Sequence, residues 1–175
     1  MTAMKQSMAV LTSHVTAEWY TPPWLIELVR DVLGEIELDP ASDEMPERWI
    51  KAVTWWNSGG LKMPWTAKTV FCNPPYGNQP HGKSNQALWS AKMIAEYRAG
   101  RFDEGVLLIN STHGYRWYEE LWTAAVCCLL RERVKFVAAD GTVGAAAKRG
   151  QTLVYFGGNA ALFETVFAPY GRVLR

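Results

Sequence analysis

Cysteine is scarce in this chain of 175 residues: Cys72, Cys127 and Cys128 are the three. Two are adjacent and one is left over, so no disulfide framework is expected. There is no CxxC pair, and His14, His81 and His113 stand at no metal-ligating spacing, so no metal site is expected. Thiols used this way suit a reducing cytoplasm. Long apolar runs are missing as well. The opening stretch, residues 1–20, holds one Lys and no sustained apolar segment, so it reads neither as a signal peptide nor as a membrane span. A surplus of one charge is also absent. Lys plus Arg is 18 and Asp plus Glu is 17, a net +1, unlike a strongly basic nucleic-acid binder. With 49% hydrophobic and 20% charged residues, the composition excludes disorder, collagen and coiled coil as descriptions of the whole chain.

Two features are present in excess. There are nine tryptophans, and large aromatics serve either as core or as stacking surfaces for rings. Most of the nine are expected in the core, with Trp19 and Trp24 as the expected exceptions. Charge is also unevenly spread. Residues 1–80 carry 6 basic and 9 acidic side chains, and residues 81–175 carry 12 and 8.

Apolar residues at Leu25, Leu28, Val29, Val32 and Leu33 follow helical spacing, with Thr21 as N-cap and Gly34 as stop. Residues 35–39 alternate and end in Asp39 before Pro40, a short strand. Residues 41–68 read as irregular, with a turn at 57–60. Strands are expected at 69–73 and 105–110, the second apolar throughout, as in a sheet buried on both faces. Helices are expected at 84–98, about 115–125 and about 159–168. A strand at 126–138, broken or whole, and one at 151–156 flank a Gly-rich turn as an antiparallel C-terminal hairpin. This alternation predicts an α/β fold with a mostly parallel sheet. A lead-in over 1–17 and a single domain over 18–175 are the expected organisation.

The chemistry gathers at Asn73-Pro74-Pro75-Tyr76, where a buried strand ends. Ligands of open α/β sheets bind at the carboxyl ends of strands. The prolines fix the backbone and carry no N–H, so their carbonyls stand as rigid acceptors. With the Asn side chain as another acceptor and Tyr76 as a flat face, the set forms a seat for a planar ring bearing an amino group. The bland alternative is a Pro-rich strand exit with Tyr76 in the core.

This tetrad resembles the catalytic motif of S-adenosylmethionine-dependent amino-group methyltransferases. The ordered set of Glu18–Pro22, Leu38–Ser42, Gly60-Leu61, Trp65, Val70–Gly77, Arg133–Phe136 and Gln151–Gly157 resembles the phage-encoded DNA N6-adenine methyltransferase family, over about residues 18–158. The resemblance implies a compact Rossmann-like methyltransferase fold and methyl transfer from S-adenosyl-L-methionine to adenine N6 in DNA. It implies catalytic roles for Asn73, Pro74, Pro75 and Tyr76, and cofactor binding by Thr21, Pro22, Asp39 and Pro40. No glycine-rich turn follows Asp39, and only about 30 residues separate it from Asn73. The ribose-binding residue is therefore open, with Asp43 and Glu44 as candidates. The bacterial host cytoplasm is the implied location, with no membrane and no obligate protein partner.

Lys83, Arg131, Arg133, Lys148 and Arg149 are candidate DNA contacts; residues 129–151 hold five basic and two acidic side chains. A solvated hairpin face is the alternative. Residues 77–84 also fit the phosphate-loop pattern G-x-x-x-x-G-K-[ST], but Pro80 removes a cradle N–H and the next apolar strand lacks a magnesium-binding Asp. The remaining alternatives are another amino acceptor (cytosine N4, RNA guanine N2, protein glutamine), a phosphate-loop ATPase, or a non-catalytic binding module.

Overall fold

The computed structural model describes residues 19–78, 82 and 84–175. The lead-in over 1–17, and Lys83 among the candidate DNA contacts, lie outside the described residues. The elements in chain order are β1 (Trp19–Tyr20), α1 (Pro23–Leu33), β2 (Leu38–Asp39), α2 (Glu47–Ile50), β3 (Thr54–Trp55), β4 (Thr69–Cys72), α3 (Asn85–Arg98), β5 (Glu104–Asn110), α4 (Arg116–Ala124), β6 (Val126–Leu130), β7 (Lys135–Ala138), β8 (Val143–Ala146), β9 (Gln151–Phe156), α5 (Ala160–Phe167) and β10 (Gly171–Leu174).

The fold is α/β. A seven-stranded sheet has the order β10-β6-β9-β5-β4-β2-β3, and a three-stranded sheet has the order β1-β7-β8. In the large sheet β3, β2, β4 and β5 pair in parallel. The pairings β5–β9, β9–β6 and β6–β10 are antiparallel. The expected mostly parallel sheet is thus corrected to a mixed one. A parallel pairing needs a crossover that carries the chain back to the strand's starting end. Between β6 and β9 the chain makes no such crossover. Leu129 pairs with Thr152, so β9 sets off from the end where β6 stops. It returns between β5 and β6, opposed to both. The expected C-terminal hairpin is antiparallel as predicted, but the 126–138 strand is broken, and β7–β8 between its arms belongs to the small sheet.

Both faces of the large sheet are covered. On one face Phe71, Val106, Leu108, Leu153 and Tyr155 pack with Leu25, Ile26 and Val29 of α1 and Phe163 and Phe167 of α5. On the other, Val70, Cys72, Leu107, Ile109, Val154 and Phe156 pack with Trp89 and Met93 of α3 and Leu121 of α4. Alternate residues of β5 enter opposite layers, which is why its sequence is apolar without interruption.

Two details of α1 differ from expectation and agree with it in turn. Its N-cap is Pro22, with no side-chain cap, rather than Thr21. Pro23 opens the first turn, where a missing N–H costs nothing, so the helix starts one residue later than the Thr21 reading requires. Gly34 ends it at φ 74 as expected. The tryptophan expectation is corrected more broadly. Trp65 and Trp89 are buried, whereas Trp19, Trp24, Trp55 and Trp122 are exposed.

Candidate active site

The ends of β1, β2, β3 and β4 converge on one cleft, which encloses about 180 Å³ and is open on one side. Its walls include Trp19, Thr21, Asp39, Asn57, Asn73 and Tyr76. Pro40, Pro74 and Pro75 also border it. The structure therefore brings together two groups of residues that lie far apart in sequence. Pro22 is buried directly behind Thr21, at the start of α1.

Asn73 follows the last residue of β4. Its Nδ2 donates to the Trp19 carbonyl at 3.1 Å, across 54 residues of sequence. Its Oδ1 accepts the Tyr76 hydroxyl at 3.3 Å. The amide is held in one orientation, because flipping it would set Oδ1 against the Trp19 carbonyl. A carbonyl oxygen has two lone pairs, so Oδ1 keeps one for a ligand. The Tyr76 ring is half-buried and meets Phe136 of β7 edge-on, with centroids 5.7 Å apart and planes at 71°. Burial pushes the Tyr76 hydroxyl above its ordinary value, so it stays a neutral donor. The turn after it needs Gly77, whose φ is 92. From α3, Asn85 ties the turn down. Its Nδ2 donates to the Tyr76 carbonyl at 3.3 Å, and its backbone N–H donates to the Gly77 carbonyl at 3.0 Å.

Asp39 is 1% exposed, and its Oδ1 accepts the Ala41 N–H at 3.0 Å. Burial pushes its carboxyl well above the usual range; the Ala41 N–H opposes this and the Glu47 charge adds to it. Glu47 is itself pushed up by burial, against bonds from Ser42 Oγ at 2.5 Å and the Ala52 N–H at 2.8 Å. The turn at 57–60 lies hard against Pro40. A Cβ on Gly60 would meet the Pro40 carbonyl at 2.1 Å, so only glycine permits that approach.

S-Adenosylmethionine carries an ammonium, a carboxylate, ribose hydroxyls and an adenine, and the cleft holds matching groups. Thr21 Oγ1 is buried without a hydrogen-bond partner. A buried acid such as Asp39 is costly when charged and unpaired, and an ammonium or hydroxyl would relieve it. The enclosed part is of the size of an amino acid, and the opening of the cleft can take the rest. The residues present fit the cofactor.

The basic candidates do not form one patch. Arg131 and Arg133 border a concavity with Lys135, beside the exposed rings of Trp24 and Tyr170, which stack with centroids 6.0 Å apart. Arg149 borders a different cavity, with Asn110 and Tyr115. Lys148 is exposed in the link between β8 and β9.

Sequence reasoning missed three contributors. The Trp19 carbonyl is backbone and carries no side-chain signature. Phe136 stands in a sequence motif, but its contact to Tyr76 leaves no mark in the sequence. Asn57 follows β3, a strand of two exposed residues with no apolar pattern to reveal it. The Asp43 and Glu44 candidates part company: Asp43 borders the cleft, and Glu44 is exposed with its N–H donating to Asp43 Oδ1.

A family model for DNA N-6-adenine-methyltransferase (Dam) matches residues 9–161. No curated protein and no solved structure matches the chain. The family match covers most of the sequence, including every strand that lines the cleft. The chain therefore belongs to the DNA N-6-adenine-methyltransferase (Dam) family, S-adenosylmethionine-dependent enzymes that methylate N6 of adenine in DNA.

Proposed function

We propose that this chain methylates adenine at the seat formed by Asn73, Pro74, Pro75 and Tyr76, and that Thr21, Pro22, Asp39 and Pro40 hold the methionine end of the cofactor. Asn57, two residues past β3, joins Asp43 as a candidate for the ribose, since both border the cleft, whereas Glu44 is exposed outside it. The fold is assigned as a Rossmann-like methyltransferase domain over 18–175 after a lead-in, encoded by a phage and working in the bacterial cytoplasm without an obligate protein partner. Free Cys72, Cys127 and Cys128, all buried, suit that compartment.

The bound cofactor supplies an electrophilic methyl group on a sulfonium. The chain supplies positioning. Adenine's amino lone pair is delocalised into the ring and is a poor nucleophile. Asn73 Oδ1 and the Pro74 carbonyl accept its two N–H groups, which draws the lone pair back onto N6. Holding the amino group within reach of the methyl turns a bimolecular displacement into an effectively unimolecular one. The base must leave the duplex to reach the seat, at a cost of a few kcal/mol. The Tyr76 ring, backed by Phe136, offsets part of that cost by stacking, about 1–3 kcal/mol per base. Arg131, Arg133, Lys148 and Arg149, with Lys83, are assigned to DNA phosphates.

The observation that carries this reading is the Asn73 amide, held between the Trp19 carbonyl and the Tyr76 hydroxyl in the wall of the cleft. The test is incubation with methyl-labelled cofactor and unmethylated DNA, followed by digestion to nucleosides. Labelled N6-methyladenine is expected from the native chain and none from Asn73→Ala, with the two melting alike. Full activity in Asn73→Ala overturns the assignment.

A further inference from the structure

A second cavity, of about 590 Å³, opens directly beyond the catalytic turn, since its wall begins with Gly77 and Asn78. The other walls come from Gln86 of α3, Asn110 at the end of β5, Tyr115 and Trp117 at the start of α4, and Arg149 before β9. None of its described lining residues is acidic.

Gln86 is the distinctive group. It is 5% exposed. Its Oε1 accepts the backbone N–H of Asn110 at 3.2 Å, which fixes the orientation of the amide. That leaves Nε2 without a partner. Buried donors are nearly always paired, and an unpaired one in a cavity wall points to a missing acceptor. Asn110 is fixed in its turn, because its Oδ1 accepts Gln151 Nε2 at 3.5 Å. Tyr115 is 58% exposed and borders the cavity, so its ring is open to stacking.

Oriented neutral amides read the edges of nucleobases, aromatic rings stack on their faces, and an arginine meets the phosphate.

We propose that this cavity takes the nucleobase next to the target adenine in the DNA strand, and that Gln86 Nε2, donating to a ring-nitrogen or carbonyl acceptor of that base, sets the sequence preference of methylation. This rests on the placement of the target adenine at Asn73–Tyr76. Gln86→Glu is the sharpest probe. It keeps an oxygen for the Asn110 N–H and replaces the donor with an acceptor, and an acid is tolerated in the first turn of α3.

The native chain, Gln86→Glu and Tyr115→Ala are each incubated with cofactor and a duplex library randomised around a central adenine, and methylated positions are sequenced. Binding of the same duplexes is followed by fluorescence anisotropy. The native chain is expected to discriminate at one adjacent position by roughly tenfold to a hundredfold. Gln86→Glu is expected to move that preference toward bases that present an amino group, and Tyr115→Ala to flatten it and weaken binding. An unchanged preference in Gln86→Glu, or a native chain indifferent to its neighbours, overturns the proposal while adenine methylation stands. Should Gln86→Glu fail to fold, Tyr115→Ala decides, since an exposed ring is dispensable to folding; native preference and affinity in that variant overturn it. Failure of the catalytic assignment reads differently: Asn73→Ala then methylates the library as the native chain does.

Discussion

β8 and β9 are neighbours in sequence and opposites in surroundings. All residues of β9, Gln151–Phe156, are buried, between strands β5 and β6 and under helices on both faces. In β8 only Gly144 is partly covered, and Val143 is 68% exposed. The large sheet therefore holds most of the buried apolar surface that stabilises the fold. The small sheet buries little and instead holds positions. Its β1 offers the carbonyl that orients Asn73, its β7 sets Phe136 against Tyr76, and its β8 lets the Trp19 ring lie over Gly144. Damage to the first should cost stability, and damage to the second should cost the site.

The largest effect expected is on the large sheet. Leu153→Ala, at a fully buried position, should cost about 2–5 kcal/mol, whereas Val143→Ala in the small sheet should stay within about 0.5 kcal/mol. Denaturant unfolding of both variants checks this, and equal losses would break the comparison. Gly144→Ala comes next. The added methyl would stand 2.5 Å from the Trp19 ring, so the ring must give way, and β1 with its carbonyl is expected to move with it. Overpacking of this kind costs about 1–3 kcal/mol. At the small sheet that cost should appear chiefly in catalysis, as a kcat lowered about tenfold with little change in melting. A lowered melting temperature with native kcat would contradict it.

A third, smaller effect concerns the helix layer of the large sheet. Glu96 of α3 accepts from Lys92 Nζ at 2.6 Å, Arg101 Nη1 at 2.9 Å and the Trp65 N–H at 3.0 Å. Burial raises its pKa, but Lys92, the Trp65 amide and Arg101 outweigh burial and hold it below the ordinary 4.5. A depressed acid contributes stability that is complete above 4.5 and is lost as pH falls through the lower, folded-state value. Glu96→Gln should lower melting by about 2–4 °C at neutral pH, and the gap to the native chain should close as the solution is acidified below 4.5. A gap that persists there would show that the charge is not the cause. The smallest effect is expected from Tyr76→Phe, which keeps the ring and removes the hydroxyl bond to Asn73. Methylation should fall about two- to tenfold, far less than in Asn73→Ala, and a complete loss would mean that the hydroxyl does more than steady the amide.

Much of the fold could be read directly from periodicity. The expected helices match α1, α3, α4 and α5, and the expected strands match β4, β5 and β9, because each has enough residues to repeat a pattern. The elements that escaped were β1, α2 and β3, with two, four and two residues, β8, which lies in the stretch expected as a Gly-rich turn, and β10, whose Gly171–Leu174 carries no alternation. The direction of β9 escaped too, since it depends on which neighbours a strand meets and not on its own residues. The site shows the same division. Asn73–Tyr76 and Asp39-Pro40 were readable because each is a local cluster at a strand end. Trp19, Asn57 and Gln86 were not, because the parts proposed for them depend on partners 54, 18 and 24 residues away in sequence respectively: the Asn73 amide, the Asp39 end of the cleft and the Asn110 N–H.

The tryptophans and the basic residues mark the limit most clearly. Composition shows nine tryptophans and a basic second half, but burial is a property of neighbours. Four of the nine stand exposed, and the basic run from Arg131 to Arg149 divides between two concavities. What the sequence alone determined is the chemistry available: an α/β chain with an amide, two rigid carbonyl-bearing prolines and a ring at one strand end, and an acid at another. What only the tertiary structure decided is which of these meet, that the amide is held by a backbone carbonyl of the small sheet, and that a buried Gln86 with its Nε2 unpartnered borders a second cavity. Periodicity and motif are local and survive in one dimension. Orientation, pairing and burial are set by contacts between segments far apart in the chain, and exist only once it has folded.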